Sequence, residues 1–163
     1  MNKILRLFVA ATLISSNIFA AKFFNASLVP GVAIFGRTQT IDGLTIGIWS
    51  ENPQHALALG IVNGSTSDSA GLSIALVNYA QNYKGVQWAF VNYSETSFMG
   101  LQSGAVNYAG KLSGVQFGVV NIAHAADKAV QIGLVNIIQN NESWFGHFPS
   151  QLAPGMVFVN WRF

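Results

Sequence analysis

The sequence predicts an all-β fold: an antiparallel meander of about 8–10 strands closed into a small β-barrel of outer-membrane type. Three observations carry this. Seven segments repeat one pattern of small, apolar, polar, apolar, Gly/Ala, apolar, Val, Asn. Their asparagines, Asn63, Asn78, Asn92, Asn107, Asn121 and Asn136, are spaced 15, 14, 15, 14 and 15 residues apart. Finally, the seven eight-residue segments hold no Asp, Glu, Lys or Arg, and no apolar helix period follows residue 20 to cover them.

The N-terminus reads as a secretory signal peptide over 1–20. Lys3 and Arg6 precede the apolar stretch Leu7 to Ile14, and Ile18-Phe19-Ala20 offers a small residue at the cut. Cleavage is expected after Ala20, with Ala21 as the second choice. The stretch is too short to span a bilayer. Residues 21–163 then form a single β-repeat domain, with repeats over about 43–138 and a last strand over 155–163. Without Lys3 and Arg6, the chain's 8 basic residues fall to 6, equal to its 6 acidic ones. No basic patch remains to suggest nucleic acid. The absence of cysteine excludes a disulfide framework and thiolate metal sites.

The first element after the leader, 26–36, reads as a strand that Pro30 confines to an edge, bulge or strand start. Gly43 to Ser50 and Ala56 to Asn63 are loose copies of the repeat. Gly71 to Asn78, Gly85 to Asn92, Gly100 to Asn107, Gly114 to Asn121 and Ala129 to Asn136 are close ones. Strict alternation puts Val115, Phe117, Val119 and Asn121 on a bulky face, and Gly114, Gln116, Gly118 and Val120 on a small one. The segment 137–154 is a longer connection, and 155–163 alternates Val157, Val159, Trp161 and Phe163 on one face.

In a barrel, the bulky face meets lipid, the Gly/Gln face fills a narrow interior, and closure removes every free edge. The 15/14 alternation fits two hairpin-loop lengths at opposite ends of a meander. Against it, Tyr79, Tyr93 and Tyr108 fall on the small face rather than in a lipid-facing girdle. The alternative is a β-solenoid, with the bulky face inside and the asparagines stacked as an amide ladder. A soluble barrel around an apolar ligand ranks third. A charge at Phe117 is expected to hurt barrel and solenoid alike, whereas Gln116→Lys is expected to disturb the barrel and be mild on a solenoid's outer wall.

Two resemblances add to this reading. The final strand, ending Val157-x-Val159-x-Trp161-x-Phe163, resembles the C-terminal signal of bacterial outer-membrane barrels, which implies barrel-assembly machinery and outer-membrane lipid as partners. The unit Gly-apolar-Gln-apolar-Gly-apolar-Val-Asn-x-Ala, as in Gly114 to Ala123, resembles bacterial surface-repeat proteins of the leptospiral type. Departures are Ala129 for the leading Gly, Ser103 for an apolar residue and Ser50 for Asn. That resemblance implies an exported protein of the outer membrane or cell surface, its surface partner unknown, and brings no activity with it.

The residues offer no catalytic chemistry. His55, His124 and His147 lack metal-ligand spacing, the acids are scattered through the connections, and no Gly-x-Ser-x-Gly elbow occurs. No catalytic, cofactor-binding or metal-binding residue is expected. Gln87, Gln102, Gln116 and Gln131 read first as a hydrogen-bonded structural set and second as the lining of a neutral lumen. The expected function is therefore non-enzymatic: an envelope protein with a structural or narrow-pore role, or alternatively a solenoid used for binding or adhesion.

Overall fold

The computed structural model describes residues 22–163, so the expected signal peptide over 1–20 lies outside the described residues. Among the described residues, seven strands make one sheet: β1 (Phe24–Val29), β2 (Val32–Ala33), β3 (Leu44–Glu51), β4 (Leu57–Ile74), β5 (Val77–Trp88), β6 (Val91–Ile138) and β7 (Gly155–Arg162). Their order is β2-β1-β3-β4-β5-β6-β7, with two distinct ends.

This corrects the expected barrel. β3 pairs with β4, β4 with β5 and β5 with β6, and every one of these ladders is parallel. A meander needs antiparallel neighbours, and a closed barrel has no ends. The protein is instead a β-solenoid, each coil lying directly on the one before. The in-phase register states it residue by residue: Val62 on Val77 on Val91, and Asn63 on Asn78 on Asn92. β6 runs for 48 residues because its extended backbone passes around corners without leaving the strand conformation. Stacking identical positions 14–15 residues apart gives every coil the same environment, which is what a short repeat needs to bury itself.

The 15/14 alternation has a different cause from two hairpin loops. Between Ser65 and Asp68, β4 advances three residues while β5 advances two. Between Ala80 and Asn82 the reverse holds, β5 advancing two and β6 three. Alternate coils thus carry one extra residue as a bulge on the same side, which re-aims the backbone locally without disturbing the stack.

The strict alternation of faces also fails, and with it the expectation that the bulky face fills a solenoid. Gln116 and Asn121 are both fully buried although they stand five positions apart, so the two-residue period must break between them. It breaks at a corner, where the exposed Val119 and half-buried Val120 both face outward. Phe90-Val91 and Leu134-Val135 do the same in their coils. Each coil therefore has two walls. The first carries the Gly-x-Gln-x-Gly half of the repeat, and the second begins at Asn.

The result is a solenoid that is polar inside and apolar outside on one wall. One amide column follows the asparagines: Asn78 Nδ2 donates to Asn92 Oδ1 (3.0 Å), Asn92 to Asn107 (2.9 Å), Asn107 to Asn121 (2.8 Å) and Asn121 to Asn136 (2.8 Å). The second amide hydrogen of Asn78, Asn92, Asn107 and Asn121 crosses to a first-wall carbonyl, as from Asn107 Nδ2 to the Phe117 carbonyl (3.0 Å). The other column follows the glutamines and runs the opposite way: Gln102 Nε2 donates back to Gln87 Oε1 (2.9 Å), Gln116 to Gln102 (2.8 Å) and Gln131 to Gln116 (2.8 Å). Gln102, Gln116 and Gln131 also place their second hydrogen on a carbonyl, and satisfying both amide hydrogens makes these groups tolerable without water, since an unmade bond costs about 1–3 kcal/mol. A smaller apolar core completes the interior, with Tyr83 stacked on Phe98 at 6.3 Å, and Leu112, Ala109, Ala123 and Ile138 beyond them.

Glycine sets the return corner. Gly100 has φ +130, where L side chains are rare, and a Cβ there would press into the Gly85 carbonyl of the coil below. Ala129 holds the equivalent place in the last repeat, and the positive φ has moved to its neighbour Lys128, at 55°.

Both ends of the stack are capped. At the first end, β1 lies parallel on β3, and Pro30 and Gly31 turn it back into the antiparallel β2, so the expected strand over 26–36 is an edge hairpin. At the other end, β7 pairs antiparallel with the last coil of β6, Gln131 on Asn160 and Ile132 on Val159. The expected last strand, 155–163, is this cap. Short or reversed end strands blunt the open edges of a sheet.

Candidate binding surface

Because the amides are inside, the large side chains of the first wall have nowhere to go but out. Ile46 and Ile48 lie on the first coils, followed by Ile61, Leu76, Trp88 and Phe90, then Phe117 and Val119, then Ile132 and Leu134. β7 extends the surface with Val157 and Val159. Trp88 and Phe90 are 60% and 66% exposed, Phe117 and Val119 56% and 49%. The ordered amide columns directly beneath hold each of these residues at a fixed level and direction.

The surface has relief. Trp88 lies beside Ser103 in the β5–β6 register, and Ser103 and Ala105 are the outward residues of that coil. The next coil restores bulk with Phe117 and Val119. A shallow groove floored by Ser103 and Ala105 therefore runs between an aromatic ridge and a second apolar ridge. Ser103, one of the departures from the repeat, is what opens it.

Among the described residues, charge is confined to the second wall and the ends. Asp68, Lys84, Glu95, Lys111, Asp127 and Lys128 are all exposed there. A polar row on this wall links Asn82 Nδ2 to Asp68 Oδ1 (2.9 Å) and Ser97 Oγ to Asn82 Oδ1 (2.7 Å). Tyr93 and Tyr108, expected on the small face, stand outward on this wall and stack at 4.9 Å. Tyr79 likewise receives the Trp49 indole N–H at 3.1 Å. At the first end, the buried Glu51 is held by Arg37 at 2.6 Å, and that bond raises the guanidinium above its ordinary pKa.

Near the C-terminal cap, the connection 139–154 adds an apolar cleft of about 490 Å³ lined by Val135, Ile137, Trp144, Phe145, Met156 and Val157. The connection is firmly tied: Asn141 Nδ2 donates to the Ala153 carbonyl (2.9 Å), and Arg162 Nη1 donates to the Asn140 carbonyl (2.7 Å). The cleft opens onto the first wall at Val135 and Val157, so the two form one continuous apolar surface.

The three histidines are in three places. His55 meets Asp42 at 3.0 Å, His124 meets Gln139 at 2.7 Å and His147 meets Glu142 at 3.4 Å. Among the described residues, no group of three His, Cys, Asp or Glu is placed to hold a metal ion. Gln87, Gln102, Gln116 and Gln131 are all interior and form the column already described. The barrel reading already put the bulky face outside and the Gly/Gln face inside; what sequence reasoning missed is that Asn121 shares the interior with Gln116, and the signal was the odd spacing between them, which forces a corner.

Compared with known proteins, the chain matches no protein-family model, no curated protein and no solved structure.

Proposed function

We propose that this chain is an exported, secreted or surface-attached β-solenoid that acts by binding rather than by catalysis. The observation that carries the reading is the uncharged apolar wall. Trp88, Phe90, Phe117, Val119, Ile132 and Leu134 form an exposed apolar surface without a charged residue, and contiguous apolar patches of this kind mark interaction sites. The amide columns fix the level of each coil, so a partner meets a pre-formed surface and little ordering entropy opposes binding. The leader-like 1–20 and the likeness of the repeat to leptospiral-type surface repeats support export, and an adhesin-like role follows from that location.

The test is expression of the full chain in a bacterial host with cell fractionation, intact mass of the recovered chain and protease treatment of whole cells. The expected result is a chain beginning at Ala21 or Lys22, recovered outside the cytoplasm and extracted without detergent. A full-length chain retained in the cytoplasm overturns the reading.

A further inference from the structure

We infer that the apolar wall is the self-association face of this protein, and that its occupant is a second copy of the chain. This rests on the reading of the wall as a binding surface and names its partner.

The first argument is area. Eight stacked first-wall segments about 4.8 Å apart, seven drawn from the coils of β3 to β6 and one from β7, each about five residues of about 3.3 Å long, give a face of roughly 600 Å². That is of the order of the roughly 800 Å² per partner in a standard-size interface. The second is charge. The repeated segments that build this wall hold no Asp, Glu, Lys or Arg, and the charges of the second wall are of both signs. Nothing on the wall selects a charged partner or an anionic lipid surface, whereas a second uncharged apolar wall matches it.

The third argument is shape. The groove over Ser103 and Ala105 sits one coil from the ridge of Phe117 and Val119. A two-fold axis lying in the interface, parallel to the strands and midway between these coils, brings each copy's ridge onto the other's groove. The same operation sets Trp88 and Phe90 against the partner's Ile132 and Leu134. The contact is isologous and closes as a dimer. The two sheets then pack face to face about 10 Å apart, as in a β-sandwich.

The experiment is sedimentation velocity on the chain from residue 22, at micromolar concentration in detergent-free buffer, beside Ala105→Arg and the second-wall control Thr96→Arg. Circular dichroism confirms that all three fold. Flotation with phosphatidylcholine vesicles is run in parallel. The expected result is a dimer for the parent and for Thr96→Arg, at least a tenfold weaker dimer for Ala105→Arg, and no flotation. A monomeric parent, a dimer indifferent to Ala105→Arg, or co-flotation of the parent with vesicles overturns the inference. These outcomes leave the export reading to its own test, so the two fail separately. If Ala105→Arg does not fold, Ser103→Arg replaces it with the same expected result.

Discussion

Gln116 is wholly buried while its chain neighbour Phe117 stands 56% exposed, so adjacent residues meet opposite solvents. The usual rule is inverted: the amide is the core residue and the aromatic is the surface one. This reverses the expected pair of substitutions. Gln116→Lys places an unpaired charge in the amide column and should cost about 4 kcal/mol or more. Phe117→Lys should change stability by less than about 1 kcal/mol. Urea unfolding followed by tryptophan fluorescence at nanomolar chain concentration, where copies are apart, separates the two.

Position along a column should also matter. Gln116 accepts from Gln131 and donates to Gln102 and to the Ile122 carbonyl, whereas Gln131 donates twice and its own Oε1 has no partner. Gln116→Met strands amide groups on both neighbours and should cost about 3 kcal/mol. Gln131→Met also removes an unpaired oxygen and should cost about 1 kcal/mol. Equal losses in thermal denaturation would show that the amides do not act as a column.

The return corners should be the least tolerant backbone positions. Gly100→Ala combines an unfavourable φ with a clash against the Gly85 carbonyl and should cost about 2–4 kcal/mol. Lys128→Gly should work in the opposite sense, relieving a left-handed lysine and stabilising by about 0.5–1 kcal/mol. Paired chemical denaturation curves check both signs.

Tyr83 carries the clearest pH dependence. Its hydroxyl is buried without a hydrogen-bond partner, and burial pushes the phenol's pKa up. In the unfolded chain a tyrosine titrates near 10, so above about pH 10 the unfolded state loses its proton while the folded state keeps it. Stability from this group is thus full below about pH 10 and falls as pH rises beyond it. Tyr83→Phe should flatten that fall and raise stability at pH 7 by up to about 1 kcal/mol. Part of the slope should persist through Tyr79, whose pKa burial also raises. Melting temperatures between pH 7 and 11 read all of this.

Much of the fold can be read from the chain. The strands, the phase of the asparagines and the edge role of Pro30 follow from composition and spacing. Three things do not. A period of two says that Val62, Val77 and Val91 belong to strands, but parallel and antiparallel stacking share that period. The 15/14 spacing fits hairpin loops of two lengths as well as a bulge near Thr66-Ser67 and Glu95-Thr96. The corner at Val119-Val120 contains no Gly or Pro to announce it. Once that corner is missed, Gln116 and Asn121 go to opposite faces, and an interior that holds both amide columns disappears from view. The groove depended on a detail that looked like noise, Ser103 in place of a large apolar residue.

The opposed direction of the two amide columns has a consequence for growth. Asn78 passes its hydrogen bond toward the C-terminus and Gln102 passes its own toward the N-terminus, so the side-chain dipoles of one column oppose those of the other. No net field builds up as coils are added. A 29-residue unit of one bulged and one plain coil, duplicated in frame, lengthens the molecule without changing the electrical character of either end. Gene duplication meets no electrostatic ceiling here, and the number of coils is free to be set by the caps and by whatever length the binding surface requires.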